Sequence, residues 1–379
     1  MDNHSRKWRY LIFPLLTGIL CLSFTFFVQA QSQETNVDIN DLSKEIRNLE
    51  DDYPYPDFEK IFEDIKNFRF TDVMGEVGEW LFDTVTYEIT SSKILMGELV
   101  GVVIFAAIFS NISSSFQQVT IGDSGFLISY FLTFTIIFSN FTIMTNLFKN
   151  TVSALSRLLK MLIPVYTLTV TTSGNLTTGM IFYEYFMILV LVINSICLNI
   201  LLPLIEYYLL LELLNHFSVK QNISKLCESL YFLLSRGMKF VFFLFFGIHL
   251  LETMVVPSFD STKNAVLNKM MGLIPGAGSI AQTVAGTVIG SSILIKNTLG
   301  ATAIIFILLM LCIPMLKLML YTLFYLLLAV LLEPVSDERF IKCILAAEKG
   351  GILLMYGLAM TGSLFILTIA VTAFATNRI

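Results

Sequence analysis

The sequence predicts an all-α polytopic membrane protein with about six transmembrane helices and two broken, re-entrant segments. Hydrophobic residues make up 55% of the 379 residues and charged residues 14%, whereas soluble domains carry about 25% charged residues. Two apolar stretches, 159–178 and 271–297, are short or interrupted by Gly and Pro. Six other apolar runs can each cross a hydrocarbon layer, which needs about 20 residues. These runs are 94–116, 126–148, 180–211, 230–254, 300–332 and 351–375.

Residues 1–30 have the layout of a secretory signal peptide. Three basic residues within 6–9 precede an apolar run at 11–28, and Val28-Gln29-Ala30 has the small residues of a cleavage site. The run is also long enough to remain in the membrane as an anchor. Both outcomes place residue 31 onward on the extracytoplasmic side.

Residues 31–92 are expected to form an acidic extracytoplasmic region, because they contain 16 acidic and 5 basic side chains. One helical pattern covers 39–49, and a second places Phe58, Ile61, Phe62, Ile65 and Phe68 on one face. Helices that lie on a membrane surface usually have a Lys/Arg-rich polar face. We therefore expect contact with a protein partner or with the membrane domain, and a purely solvated acidic region is the alternative.

The transmembrane domain, 93–379, shows an internal tandem repeat at about 157–254 and 268–370. Pro164 and Pro275 each follow an Ile in a similar Lys-Met-containing segment, and Pro203 and Pro314 follow 39 residues later. Because these prolines keep the same spacing in both segments, they indicate a duplication.

Each copy also contains a basic loop, at 220–239 and 339–349, and the positive-inside bias favours the cytoplasm for both. An even number of crossings must then separate the two loops. This makes 271–297 re-entrant from the outer side and, by the repeat, 159–178 as well, which gives six crossings. Lys149, Arg157 and Lys160 would then lie outside, against the bias. If both interrupted stretches cross fully, the chain has eight spans and one basic loop faces outward.

The interrupted segments are the candidate functional site. Small and polar residues recur every four positions in 271–300, which places them on one helix face. Such a stripe can be a helix-packing surface. Irregular backbone at membrane depth is tolerated where protein buries it or where it lines a water-filled cavity, and repeat-related interrupted segments are typical of a transport pathway. We hypothesise a pore or substrate path lined by the following residues: Pro164, Gly174, Pro275, Gly278, Gln282, Gly286, Gly290, Ser291, Lys296 and Asn297.

Two charged residues occupy equivalent places in the two repeats with opposite sign, Glu206 and Lys317. Intramembrane charges are expensive and usually face a bundle interior or a water path. The two residues are therefore candidates for an ion pair between the repeats.

We expect no enzymatic activity, no cofactor and no metal. The phosphate-binding pattern G-x-x-x-x-G-K-[ST] is absent. The pairs Glu212–His216 and His249–Glu252 each supply too few ligands for a typical metal site, and the five cysteines have no ligand or disulfide-framework spacing. A soluble basic patch for nucleic acid is missing as well.

The segment Ile274-Pro275…Gly278…Ser292-x-Leu294-x-Lys296-Asn297-x-x-Gly300 resembles the stage III sporulation protein AE family of endospore-forming bacteria. Lys160-x-x-Ile163-Pro164 and Ser173-Gly174 strengthen the resemblance. Family members often carry acidic residues near the places of Thr283 and Gly286. This sequence does not, so charges at those places are not expected to act here.

The resemblance implies the permease-like membrane core of a channel complex between mother cell and forespore, required for spore development after engulfment. It implies a multi-pass location in the mother-cell membrane around the forespore. The implied partners are other stage III sporulation A-series membrane proteins, a cytoplasmic ATPase and further copies of this chain. A non-conducting membrane scaffold and a stand-alone secondary transporter are the alternatives.

Overall fold

The computed structural model describes residues 58–83, isolated positions between 85 and 108, and 119–173, 176–217, 223–271, 278–334 and 338–375. The signal peptide, the first helical pattern of the acidic region, most of the apolar run 94–116, Gly174 and Pro275 lie outside these residues. The described residues form helices and short turns without a strand, which agrees with the predicted all-α class.

Eight α-helices are described. They are α1 Phe58–Lys66, α2 70–83, α3 Val119–Thr172, α4 Leu176–Ser195, α5 Leu202–Phe217, α6 Ser224–Met271, α7 Gly278–Leu332 and α8 Glu338–Ala375. Five helical stretches in this part of the chain are long and apolar enough to span a membrane: Tyr130–Thr172, Gly179–His216, Ser224–Leu251, Gly290–Leu332 and Glu338–Ala373. They correspond to five of the six predicted runs, so the class of helical membrane protein is confirmed.

The interrupted stretches differ from their prediction where the structure describes them. Residues 159–172 are the C-terminal part of α3, which continues through Pro164 without a break. Residues 278–297 are likewise the N-terminal part of α7. Proline is tolerated inside membrane helices because neighbouring side chains and small adjustments satisfy the freed carbonyl. The prediction of a helix break at Pro164 is therefore wrong.

A π-helical segment, Ile196–Leu201, joins α4 to α5 just before Pro203. The N–H group of Leu202 donates to the carbonyl of Cys197, one residue further back than in an α-helix. This wider turn makes room for the proline ring, which clashes with the carbonyl four residues earlier in a regular helix. Pro314 lies inside α7 without an interruption, so the two predicted repeats differ locally here. The repeat itself stays a prediction.

The described residues that belong to or flank the two basic loops lie at the same end of the bundle, called here the basic end (213–217, 223–231 and 338–349). The hydroxyl of Tyr130 donates to the carbonyl of Leu213 and lies 3.0 Å from the sulfur of Cys343. Glu212 is hydrogen-bonded to Cys227. These contacts join the C-terminus of α5 to the N-termini of α6 and α8. Two helices long and apolar enough to span a membrane, α6 and α7, lie between the loops, and the number of crossings that separates the loops stays a prediction.

The central helix of the bundle is α8, which packs against α3 to α7. Its glycines allow close approach: a β-carbon at Gly350 would lie 2.7 Å from Phe141, and one at Gly357 would lie 2.9 Å from Leu201. Small residues that let helices approach closely are the usual basis of packing in membranes.

The acidic hairpin, α1 with α2, packs on α7. Ile61, Ile65 and Val73 form a buried cluster with Leu309, so the second amphipathic stretch contacts the membrane domain, one of the two outcomes expected. Phe68 does not share this face. It is 43% exposed, because α1 has ended and Phe68 takes the left-handed conformation, with φ 58°, in the turn.

Candidate functional site

Lys296 is fully buried inside the bundle. One helical turn further on, a β-carbon at Gly300 would lie 3.4 Å from the ring of Tyr166 on α3 and 3.6 Å from Ile369 on α8. The face of α7 that carries both residues therefore meets α3 and α8. A buried lysine in a membrane span is costly, and such residues are usually functional.

The predicted stripe of 278–300 divides into a buried part and an exposed part. Ser291 and Lys296 are buried and Asn297 is half-buried, whereas Gly290 is exposed. A β-carbon at Gly290 would meet no atom within 4 Å. Among the described residues Gly290 therefore makes no close helix contact, and the predicted role of the stripe stays a prediction. Gly278 begins α7, and Gln282 and Gly286 lie in it; the surroundings of the side chain of Gln282 are outside the described part. Pro164 is exposed.

The close-packing glycines lie on α8 instead, and the sequence analysis missed them. Gly350 and Gly357 are seven residues apart, and a β-carbon at Gly351 would lie 2.5 Å from Thr322. Seven residues are two helical turns, so these glycines share a face. That spacing in the last apolar run was the signal that could have revealed them.

Fully buried threonines also line α8. Thr361, Thr368 and Thr372 each donate their hydroxyl to the carbonyl four residues earlier, at 2.7–2.8 Å. Their protons are therefore satisfied within the helix, while each oxygen can still accept a hydrogen bond. The hydroxyl oxygen of Thr361 lies 3.0 Å from the sulfur of Cys197 in the π-helical segment and can accept from its thiol.

His249 is the polar residue that sequence reasoning undervalued. It is fully buried on α6, with Nε2 3.1 Å from the hydroxyl of Thr368 and Nδ1 3.4 Å from the hydroxyl of Tyr185 on α4. Thr368 donates to the carbonyl of Leu364, so its oxygen is available to accept a hydrogen bond from Nε2–H of His249. Both ring nitrogens of His249 therefore lie near a hydroxyl group of a neighbouring helix. The predicted pairing of His249 with Glu252 lies outside the described side chains.

A second polar group lies at the basic end. The Nε2 atom of His216 is 3.5 Å from a carboxylate oxygen of Glu212. Nδ1 of His216 and Oδ1 of Asn215 are buried and have no hydrogen-bond partner among the described residues. Within the described ranges, no set of three or more His, Cys, Asp or Glu side chains is arranged to hold a metal ion.

Glu206 and Lys317 are both half-buried. The helices that carry them, α5 and α7, form no substantial interface with each other. The structure brings each residue to the edge of the bundle interior, and the ion pair between them stays a prediction.

The described residues thus define a helical membrane protein whose spans pack around a glycine-containing central helix and bury polar side chains between them. Residues 56–376 match the family Stage III sporulation protein AE, a range that includes all eight helices. The chain belongs to this family. It is 22% identical over 303 residues to the Stage III sporulation protein AE of Bacillus subtilis strain 168, which covers 79% of this chain and 76% of that protein. No solved structure matches the chain.

Proposed function

We propose that the chain is the permease-like membrane core subunit of the channel complex between mother cell and forespore. Family membership supports a role in sporulation. The observation that carries the more specific proposal is the buried polar interior, above all Lys296, which is fully buried in a span. Polar residues at such positions usually mark a path for ions or substrates.

The proposal includes partners and a location. The chain acts in the mother-cell membrane around the forespore, with other stage III sporulation A-series membrane proteins and further copies of itself. A cytoplasmic ATPase supplies energy, and the chain itself catalyses no reaction. Positive charge favours the cytoplasm, so the basic end faces the ATPase and the acidic hairpin faces the space between the two membranes.

The path proposed here is closed in the described conformation. Thr302 and Lys296 on α7 and Thr372 on α8 are fully buried, so water does not reach them. Transport then requires the helices around α7 to separate when the complex is active. A non-conducting scaffold would keep the same helix packing when the complex is active. This difference distinguishes a channel core from a scaffold.

Genetic complementation tests the proposal. A host strain that lacks the chain should stop spore development after engulfment, and the unmodified chain should restore it. Lys296→Met removes the charge at similar length and should fail to restore spores although the protein reaches the membrane in normal amounts. Lys225→Met is the matched control, because Lys225 is exposed, and it should restore spores. Normal spores in the deletion strain would refute the sporulation role, and normal spores with Lys296→Met would refute the role of the buried charge.

A further inference from the structure

The helix α6 lies at the edge of the bundle. It packs against α4, α5 and α8 and forms no substantial interface with α3 or α7. Only 17% of the most apolar window of Ser224–Leu251 is buried, compared with 67% for Glu338–Ala373. Large side chains such as Phe240 and Phe243 point outward, 68% and 67% exposed. The described part of α6 therefore contacts the other helices on one face only.

Among the described side chains of α6, which end at Leu251, the buried residues form one narrow seam. They recur at alternating intervals of seven and four residues, which keeps them on one face of the helix. These residues are Cys227, Leu234, Met238, Phe245 and His249. Apolar contacts give little preference for protein over lipid, because lipid tails are as apolar as leucine. The polar contacts at the two ends of the seam are therefore the ones that distinguish a docked helix from one surrounded by lipid.

His249 makes the polar contact at the end of the seam far from the basic end. It joins α6 to α4 through Tyr185 and to α8 through Thr368. The hydrogen-bonded chain runs from Tyr185 through His249 and Thr368 to the carbonyl of Leu364. A backbone carbonyl has no proton to pass on, so this chain holds helices together and does not conduct protons along that route.

We propose that Tyr185, His249 and Thr368 form a latch that keeps the part of α6 around His249 on the bundle, and that α6 is the helix that moves outward when the bundle opens. Release of the latch uncovers the threonine-lined face of α8. The contact of Cys227 with Glu212 at the basic end acts as the pivot. The latch does not depend on the sporulation channel, because a scaffold subunit could use the same moving helix.

Lipid exposure of the seam tests the latch. Phe245→Trp places a fluorescent reporter one turn from His249, and dibrominated lipids quench tryptophan that contacts acyl chains. The full-length chain is reconstituted in nanodiscs of these lipids, and the signal of the chain without the reporter is subtracted. Tyr185→Phe and Thr368→Val each remove one hydroxyl of the latch. Each should raise the lipid-exposed fraction of the reporter about threefold, the effect of one average interhelical hydrogen bond in a membrane.

Two control variants remove the same kinds of hydroxyl group, from a tyrosine and from a threonine, but leave the latch intact. Tyr183→Phe removes a hydroxyl from an exposed residue of α4, and Thr135→Val removes an exposed hydroxyl of α3 that donates to the carbonyl of Phe131 on its own helix. Neither should change the quenching. Unchanged quenching in the two latch variants would overturn the proposal. Equal increases in the latch and control variants would overturn it as well, because they would indicate general loosening.

Discussion

The contact between Gly350 and Phe141 allows a quantitative test of the packing around α8. Replacing Gly350 with valine would place a β-carbon 2.7 Å from Cε2 and 3.0 Å from Cζ of the Phe141 ring. The ring is 1% exposed, so it has little space into which to move. Overpacking of a well-packed core costs about 1–3 kcal/mol. We expect a value near the upper end, about 3 kcal/mol, because the clash involves a rigid ring and valine adds two further methyl groups.

The assay is reversible unfolding of the purified chain in mixed micelles, followed by its helical circular dichroism. The matched control is Gly237→Val on α6, where a β-carbon would meet no atom within 4 Å. This variant should change the unfolding free energy by less than about 0.5 kcal/mol. Equal stability of the two variants would refute the assignment of α8 as the tightly packed central helix.

Two further predictions concern single polar contacts. Arg69→Ala leaves the buried carboxylate of Asp64 without its 2.8 Å ion pair. Because the arginine is half exposed, we expect the hairpin to lose about 1–2 kcal/mol of stability. This loss should appear as roughly tenfold faster proteolysis within the hairpin. Lys60→Ala breaks the ion pair between the exposed Lys60 and Glu76 and should leave the proteolysis rate nearly unchanged. Equal proteolysis rates for the Arg69→Ala and Lys60→Ala variants would contradict the account. Tyr130→Phe removes the hydroxyl that donates to the carbonyl of Leu213. Unfolding titrations should show a loss of about 0.6–1.7 kcal/mol in the free energy of unfolding. An unchanged midpoint would show that this contact does not stabilise the basic end.

The sequence predicted the parts of the fold that depend on local composition. Apolar length identified five of the spans that the structure describes, and helical spacing identified the buried face of α1 at Ile61, Phe62 and Ile65. The basic loops indicated that the C-terminus of α5 and the N-terminus of α8 share one end. Each of these properties is determined by how a single segment interacts with water or lipid.

The features that the sequence analysis predicted wrongly or missed depend on tertiary neighbours. Pro164 suggests a break in the sequence, yet α3 continues past it, because the surroundings of a proline decide whether the freed carbonyl is satisfied. Gly290 and Gly350 look alike in sequence, and only the neighbouring helix shows that Gly350 is a contact residue. His249 has no ligand pattern in the sequence because its partners, Tyr185 and Thr368, lie 64 and 119 residues away.

Thiol accessibility of the interior of α7 tests the central proposal most directly. Cysteine is introduced for Thr302, which is fully buried, and for Thr71 of the acidic hairpin, which is exposed. Both variants are treated with a membrane-impermeant thiol reagent, once as the purified chain and once in membranes from sporulating cells supplied with ATP. A channel core predicts that the cysteine at 71 reacts in both preparations and that the cysteine at 302 reacts only in the active membranes. Protection of position 302 in both preparations would contradict the account and favour a non-conducting scaffold.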